Sequence, residues 1–193
     1  MLRIGYLADH PEFIPVIAEW YFREWGKYRA GDSVERRIGR LTEAANRRAV
    51  PTVIVAYEGD RILGSAMLVA CDMESRKELS PWVAGVFVEA AERGKGIGAA
   101  LVERVIEEAK ALGFPWLYLF TFSTEEYYAR LGWEVVERTE YLGAGVTVMR
   151  WDLLSDEEIL RRDAEMENGK VAPMIHEEFV RRVREGRKRP PGG

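Results

Sequence analysis

The sequence predicts an α/β (α+β) fold with a mixed, mostly antiparallel central sheet of about seven strands and helices on both faces. Three observations predict this fold. Runs rich in β-forming residues alternate with amphipathic segments in the order βααβββαβαββ. The 193 residues, 47% hydrophobic and 31% charged, are enough for one well-buried core. A glycine-rich turn between the fourth strand and the third helix indicates a single parallel crossover.

The first half of the chain is predicted to form one strand, two helices and a hairpin. Asp9 and Glu12 have the spacing of a capping box, and Pro11 suits a first helical turn. Ser33 is the expected cap of the second helix, which has to end before Pro51. The predicted elements are a strand at 2–7, a helix with the apolar stripe Phe13, Ile17, Tyr21 and Trp25, a second helix carrying Ile38, Leu41 and Ala45, and an antiparallel hairpin of 52–57 and 62–70.

The second half is predicted to add four strands and two helices. The predicted elements are strands at 83–88 and 116–121, a helix at 97–112 that ends at Gly113, a short helix at about 124–131 that ends at Gly132, and strands at 133–141 and 146–153. The last two strands are expected to turn at Gly143, Ala144 and Gly145. From Ser155 the chain becomes charged and amphipathic, which predicts a domain over residues 1–154 and a helical extension over 155–193.

Composition excludes several classes of protein. A net charge of -4 argues against general nucleic-acid binding. Cys71 is the only cysteine, so we expect no intramolecular disulfide, and it ends an apolar run that predicts core packing. His10 and His176 lack partners at ligand spacing, so no metal is expected. No apolar run approaches the roughly 20 residues that span a bilayer, which predicts a cytoplasmic protein without membrane contact.

The strongest local signal lies between a predicted strand and the first turn of a predicted helix. A helix N-terminus presents unpaired N–H groups and the positive end of the helix dipole, and glycines let anionic oxygens approach closely. The turn is therefore expected to bind phosphate. A Walker A loop would need Ser or Thr after the lysine, but Gly96 follows Lys95. A dinucleotide fingerprint would need two residues between its second and third glycines, but Ile97 alone separates Gly96 from Gly98. The residues of this turn are Arg93, Gly94, Lys95, Gly96, Ile97 and Gly98.

The turn resembles the pyrophosphate loop of the GNAT (GCN5-related N-acetyltransferase) superfamily, which reads Arg or Gln, two variable residues, Gly, one variable residue, then Gly or Ala. Two further segments and the order of the elements extend the resemblance over roughly residues 2–153. Val86, Phe87 and Val88 occupy the place of the preceding strand. The segment YYARLGW, which starts at Tyr127, is similar to the family's FYxKLGF segment.

The resemblance implies acetyl-CoA (coenzyme A) as the co-substrate and acetyl transfer to an amine by direct attack. The fourth and fifth strands would splay apart, and the pantetheine arm would bond to main-chain groups of Val86, Phe87 and Val88. The Val88 N–H is the candidate donor to the thioester oxygen. Tyr128 matches the family's usual general acid, although packing in a short helix is the alternative for it and is favoured for Tyr127.

Two positions depart from the family pattern. The glutamate that serves as general base in histone-acetylating members would fall near Trp82, and the Asn often found at the end of the fifth strand is Thr121 here. Asp72, Glu74 or Glu78 could replace the base through water, or could be solvated loop residues. The base therefore stays open.

Acceptor recognition is expected from aromatic residues near the thioester. Trp25, Tyr28 and Trp82 are the candidate substrate-binding residues, with Trp20 beside them, although a core role is the alternative for Trp20 and Trp25. The acceptor could be a small-molecule or a peptide amine. A homodimer through the apolar face of the extension is one option. A non-catalytic acyl-CoA sensor or partner-binding module is the alternative to an enzyme.

Overall fold

The structure is a computed structural model that describes residues 1–155, 158 and 161. It contains one seven-stranded sheet in the order β1-β2-β3-β4-β5-β7-β6, in which only β4 and β5 are parallel. The strands are β1 (Arg3–Tyr6), β2 (Thr52–Glu58), β3 (Arg61–Val69), β4 (Trp82–Val88), β5 (Trp116–Thr121), β6 (Glu134–Tyr141) and β7 (Ala144–Asp152). The helices are α1 (Ile14–Trp25), α2 (Val34–Ala44), α3 (Ile97–Ala111) and α4 (Glu125–Arg130). The predicted fold class and element order are confirmed.

The two faces of the sheet carry different helices. Val53 and Val55 are fully buried in a cluster with residues of α1 and α2. Ile54 and Ala56, also fully buried, point to the opposite face because side chains alternate along a strand. Helix α3 packs against β2, β3 and β4. The core therefore lies on both faces of the strands that lead to β4.

Two units divide the chain, Met1–Leu153 and Leu154–Gly193. All the strands and α-helices named above belong to the first unit. The predicted extension, including its apolar face of Ile175, Phe179 and Val183, lies outside the described residues, and its role stays a prediction. None of the helices in the described part of the chain is long and apolar enough to cross a bilayer.

Local predictions at three turns have different outcomes. Ser33 caps α2 as predicted, because its Oγ accepts a hydrogen bond from the Arg36 N–H at 3.2 Å. The capping box at Asp9 is wrong: α1 begins at Ile14 without a side-chain cap, and Asp9 pairs with Arg47 instead. The turn between β6 and β7 is Leu142-Gly143 rather than 143–145, with φ values of +53° and +76°. Positive φ at both central residues is the two-residue hairpin geometry that matches strand twist.

The expectation that Cys71 packs in the core is also wrong. Strand β3 ends at Val69, two residues before the cysteine. Cys71 is exposed, and its thiol donates a weak hydrogen bond to the Met73 carbonyl at 3.6 Å. Met73, two residues later, is the residue of this loop that is fully buried.

Candidate active site

A gap in the sheet between β4 and β5 defines the site. The two strands pair at a single position, Trp82 with Tyr118, which lies at the start of β4. A further bond joins the Tyr118 N–H to the Pro81 carbonyl at 2.9 Å. Beyond this point the parallel strands share no register, so their carboxyl ends diverge. The gap opens where the resemblance implies a pantetheine arm.

A β-bulge in β4 turns the strand toward this gap. Ser65 pairs with Phe87 and Met67 pairs with Ala84, so β4 has one residue more than β3 between the two pairs. Gly85, with φ of +56°, lies in the bulge, and its carbonyl accepts a 2.7 Å hydrogen bond from the Tyr21 hydroxyl. The same hydroxyl lies 2.9 Å from Ser65 Oγ. Helix α1 therefore holds the bulge through one buried tyrosine.

Peptide groups at the end of β4 alternate between β3 and the gap. The Glu89 N–H donates to the Leu63 carbonyl at 2.9 Å, which sets the phase of the ladder. In an antiparallel pair the next peptide group points the other way, so the N–H and C=O of Val88 face the gap. Val86 lies in the bulge and lines the adjoining cleft. Phe87 faces β3 with its peptide group, and its ring is buried against Trp20 at 5.0 Å. A main-chain bond from Phe87 to a ligand in the gap is therefore not available.

The predicted phosphate loop connects β4 to α3. Gly94 and Gly96 have φ values of +78° and +82°, and nothing lies within 4 Å of where a Cβ would stand on either residue. Helix α3 starts at Ile97 after Gly96, with no side chain capping its first N–H groups. The loop thus presents uncapped donors, the positive end of the helix dipole and open space to an anion. The donors and the open space of this loop therefore suit a diphosphate.

The two cations of the loop have intramolecular partners. Lys95 Nζ lies 2.8 Å from the Glu92 carboxylate, which also receives a hydrogen bond from Arg61 at 2.9 Å. Arg93 donates from Nε to the Val88 carbonyl at 3.0 Å and lies over the ring of Phe87 at 5.7 Å. Arg93 therefore covers one of the peptide groups that face the gap, and a ligand that bonds to the Val88 carbonyl has to displace it.

The gap continues into a cleft of about 590 Å³ whose wall is formed by α1, α2, β4, β5 and the loops that follow α1, β3 and β5. Among the predicted site residues, Trp25, Tyr28, Val86 and Tyr128 line the cleft. The phosphate loop lies outside this lining, at the α3 end of the gap. The charged side chains of the lining are Glu24, Lys27, Arg29, Arg37, Arg40 and Asp72, and its tyrosines are Tyr21, Tyr28 and Tyr128.

Tyr128 reaches the cleft from helix α4. Its side chain is 9% exposed and packs edge-on against Tyr127 and Trp133. Burial, with a smaller contribution from Tyr127, raises the pKa of Tyr128 to about 12. Among the described residues, the hydroxyl has no hydrogen-bond partner. A neutral phenol with a free O–H thus faces the cleft.

Asp72 is the one carboxylate of the three proposed for the base that lines the cleft. Glu74 and Glu78 are exposed and lie outside the lining. Burial raises the pKa of Asp72 to about 6, and the charge of Arg29 acts in the opposite direction. Asp72 forms no hydrogen bond or ion pair with the described residues. Its raised pKa and its position are both typical of a functional carboxylate.

Trp82 has to be removed from the substrate-binding set. Its side chain is fully buried, and its Nε1 donates to the Leu79 carbonyl at 2.6 Å. It packs against Tyr118 and Phe120 below the cleft. Strand β4 begins at Trp82, one residue before the predicted strand of 83–88, and the alternation of the strand turns its side chain into the core.

Comparison with known proteins agrees with this geometry. The sequence matches the acetyltransferase (GNAT) family over residues 14–133, which is more than half of the chain. The chain belongs to the GNAT family. This assignment confirms the resemblance seen in the sequence and accounts for the splayed strands, the bulge and the loop of this GNAT protein.

Solved structures share the fold at low identity. An N-acetyltransferase from Staphylococcus aureus Mu50 is 20% identical, with a TM-score of 0.62 over 80% of this chain and 98% of its own. The yncA protein of Salmonella typhimurium, solved with its cofactor acetyl-CoA, is 18% identical, with a TM-score of 0.62 over 80% and 95%. An aminoglycoside 6'-N-acetyltransferase complexed with coenzyme A is 15% identical, with a TM-score of 0.63 over 79% and 98%. No curated protein matches the sequence.

Sequence reasoning missed two features of the site. The bulge at Gly85 had a signal, because glycine inside an apolar strand often marks a bulge. Tyr21, which supports the bulge, was interpreted from the sequence only as part of the apolar stripe of helix α1. Arg29 lies in the loop after α1, where no pattern distinguishes a cleft residue from a solvated one.

Proposed function

We propose that this GNAT protein transfers an acetyl group from acetyl-CoA to a primary amine by direct attack. The observation that carries the proposal is the union of three features around one gap. These are an uncapped helix N-terminus with open glycines, peptide groups of β4 that face the gap, and a phenol on α4 that lines the adjoining cleft.

Binding of the co-substrate is assigned to the loop and the strand end. The N–H groups at the start of α3, together with Arg93, Gly94, Lys95, Gly96, Ile97 and Gly98, would hold the diphosphate. Val86 and Val88 would bond the pantetheine arm, while Phe87 supports β4 from the core. Arg93 would exchange its bond to the Val88 carbonyl for the diphosphate.

The chemical step needs an oxyanion donor and a means of moving protons. As the amine nitrogen forms the new C–N bond, the electron pair of the C=O bond moves to oxygen, where the Val88 N–H stabilises it. The C–S bond then breaks, and the sulfur leaves with its electron pair and gains a proton. The nitrogen loses a proton to a base. The result is an amide and a free thiol, with no covalent enzyme intermediate.

Tyr128 is the proposed partner of the leaving sulfur. Full transfer of its proton to a thiolate of pKa about 8.5 would be uphill by roughly 5 kcal/mol from a phenol of pKa about 12. A hydrogen bond from the neutral phenol avoids that cost and still stabilises the thiolate. We therefore assign Tyr128 as a hydrogen-bond donor that keeps its proton and stabilises the leaving thiolate, which then takes its proton from solvent.

Asp72 is the proposed base. It lines the cleft, has no competing hydrogen bond within the described chain, and titrates near pH 6, so it is ionised at neutral pH but not strongly acidic. A carboxylate with these properties can accept the proton of an alkylammonium group, directly or through one water.

A non-catalytic acyl-CoA sensor is the rival function, and a thiol-release assay separates the two. The assay supplies acetyl-CoA with a panel of amines to the parent protein, Tyr128→Phe and the distant control Tyr57→Phe. We expect turnover by the parent, a loss of about 10- to 100-fold in kcat for Tyr128→Phe, and parental rates for the control. Binding of CoA without turnover on any amine would identify a sensor.

A further inference from the structure

Two oppositely charged side chains line the cleft without forming an ion pair with each other. Arg29, in the loop after α1, and Asp72, in the loop after β3, both line it. They are close enough for the charge of Arg29 to affect Asp72, yet neither a hydrogen bond nor an ion pair joins them. Within the described residues, the Arg29 side chain also has no other carboxylate partner. Unpaired charges of both signs in one cleft are suited to a ligand that carries both.

The other two arginines of the cleft share one carboxylate. Arg37 donates from Nε to the buried carboxylate of Asp32 at 2.7 Å, and Arg40 donates from Nη2 to its second oxygen at 2.6 Å. Asp32 has a 2% exposed side chain, so this cluster belongs to the wall. Arg29 is therefore the arginine of the cleft that has no carboxylate partner among the described residues.

Aromatic rings close the same region. Tyr28 stacks on Phe122 at 4.9 Å with an interplanar angle of 10°, and Phe120 meets Phe122 edge-on at 5.7 Å. Lys27 lies over the Tyr28 ring at 4.9 Å. An apolar or aromatic group fits this wall. In the described part of the chain, the cleft lining carries four cationic side chains against the two carboxylates of Glu24 and Asp72, which disfavours a polycationic acceptor.

We propose that the acceptor is a free amino acid or a close analogue, with its ammonium group at Asp72, its carboxylate at Arg29 and an apolar side chain against Tyr28 and Phe122. This inference rests on the proposed acetyl transfer and narrows its substrate class. Arg29 binds the carboxylate through a charge-assisted, bidentate hydrogen bond. Polyamines and aminoglycosides lack the carboxylate and carry several positive charges.

Matched pairs of acceptors test the role of the carboxylate. Acetylation is measured for phenylalanine against 2-phenylethylamine, leucine against 3-methylbutylamine and tryptophan against tryptamine, with spermidine as the polycation. Each pair is measured with the parent, Arg29→Gln, Arg29→Lys and the exposed control Arg23→Gln. The ratio of kcat/KM within a pair is compared between variants, because differences in intrinsic amine reactivity then cancel.

We expect the amino acid of at least one pair to be preferred by the parent. Arg29→Gln should reduce that preference by about 10- to 100-fold, Arg29→Lys should restore part of it, and Arg23→Gln should leave it unchanged. Equal CoA affinity of all four proteins shows that they are folded.

Failure of the amino-acid assignment and failure of the proposed acetyl transfer would give different results. Turnover of amines with a ratio that does not depend on Arg29, or a preference for spermidine, would overturn the amino-acid assignment and leave acetyl transfer intact. Binding of CoA with no acetylation of any acceptor would overturn the proposed function and this inference with it.

Discussion

Burial controls the titration of Asp72 and Tyr128, the two candidate catalytic groups that line the cleft. It raises the pKa of Asp72 to about 6 and that of Tyr128 to about 12. Both groups are acids, so burial disfavours the charged form of each. The consequences are opposite, since Asp72 becomes a better base at neutral pH while Tyr128 stays a neutral donor.

Asp72→Asn should reduce activity and raise stability. In the parent we expect kcat/KM to increase through about pH 6 as Asp72 ionises, and this step should be absent from the much lower activity of Asp72→Asn. Glu74→Gln, an exposed carboxylate in the same loop, should keep the parental profile. A parental rate and profile for Asp72→Asn would remove Asp72 from the mechanism.

The stability effect has a defined sign. The folded pKa of about 6 lies above the unfolded value near 3.9, so the folded state binds the proton more tightly and the protein loses stability as pH rises from about 4 to about 6. The full shift corresponds to about 3 kcal/mol, which partial solvent screening reduces. Urea unfolding at pH 7.5 should find Asp72→Asn more stable by about 1–2 kcal/mol, with a smaller difference at pH 4. Lower stability of the variant at pH 7.5 would contradict the burial cost.

At the scale of elements, strand β4 shapes the candidate site because a bulge gives it one residue more than β3 between two successive pairs. The bulge places Val86 in the cleft lining, the Val88 peptide group beyond it faces the gap, and the Tyr21 hydroxyl of α1 holds the bulge at the Gly85 carbonyl. Glycine is required here for two reasons. The φ of +56° is costly for other residues, and a Cβ would stand 2.6 Å from the Tyr21 hydroxyl oxygen.

Gly85→Ala should therefore destabilise the protein and weaken CoA binding. Backbone strain and overpacking together predict a loss of about 2–4 kcal/mol in the free energy of unfolding. Gly39→Ala in the middle of α2 is the matched control, because nothing lies within 4 Å of its added Cβ and the same substitution should stabilise by about 0.5–1 kcal/mol. Denaturant unfolding measures the free energy of unfolding of both variants. A neutral Gly85→Ala would show that the bulge accepts a side chain.

At the scale of the whole molecule, the ligand joins elements that are distant in the chain. A CoA molecule in the proposed pose would touch the end of β4, the start of α3 and helix α4, and it would fill the gap that the sheet leaves between β4 and β5. Binding to the folded state alone raises the free energy of unfolding by mass action.

CoA should therefore raise the melting temperature in a way that depends on its diphosphate. At a thousandfold excess over Kd the gain is about 4 kcal/mol, or roughly 8–16 °C for a chain of this size. Pantetheine, which lacks the diphosphate, should give a much smaller rise at the same concentration. Differential scanning calorimetry measures both, and an equal effect of the two ligands would contradict the role assigned to residues 93–98.

Local signals in the sequence determined the order of the elements and the position of the glycine-rich loop before α3. Ser33 as a cap, the hairpin of β2 and β3, and the glycines before α3 all depend on interactions within a few residues, so their patterns can be read directly. The family motif at Arg93 is local for the same reason. The predicted capping box at Asp9 was wrong because a distant arginine, Arg47, takes its carboxylate.

Only the tertiary structure decided which residues face the cleft. Trp82, Cys71 and Asp72 lie within eleven residues of one another, yet the first is buried in the core while the other two line the cleft, Cys71 as an exposed thiol and Asp72 as a candidate base. The approach of Arg29 to Asp72 and the support of Gly85 by Tyr21 each join residues more than 40 positions apart. Such contacts arise when the sheet and helices pack together, and no pattern of neighbouring residues encodes them.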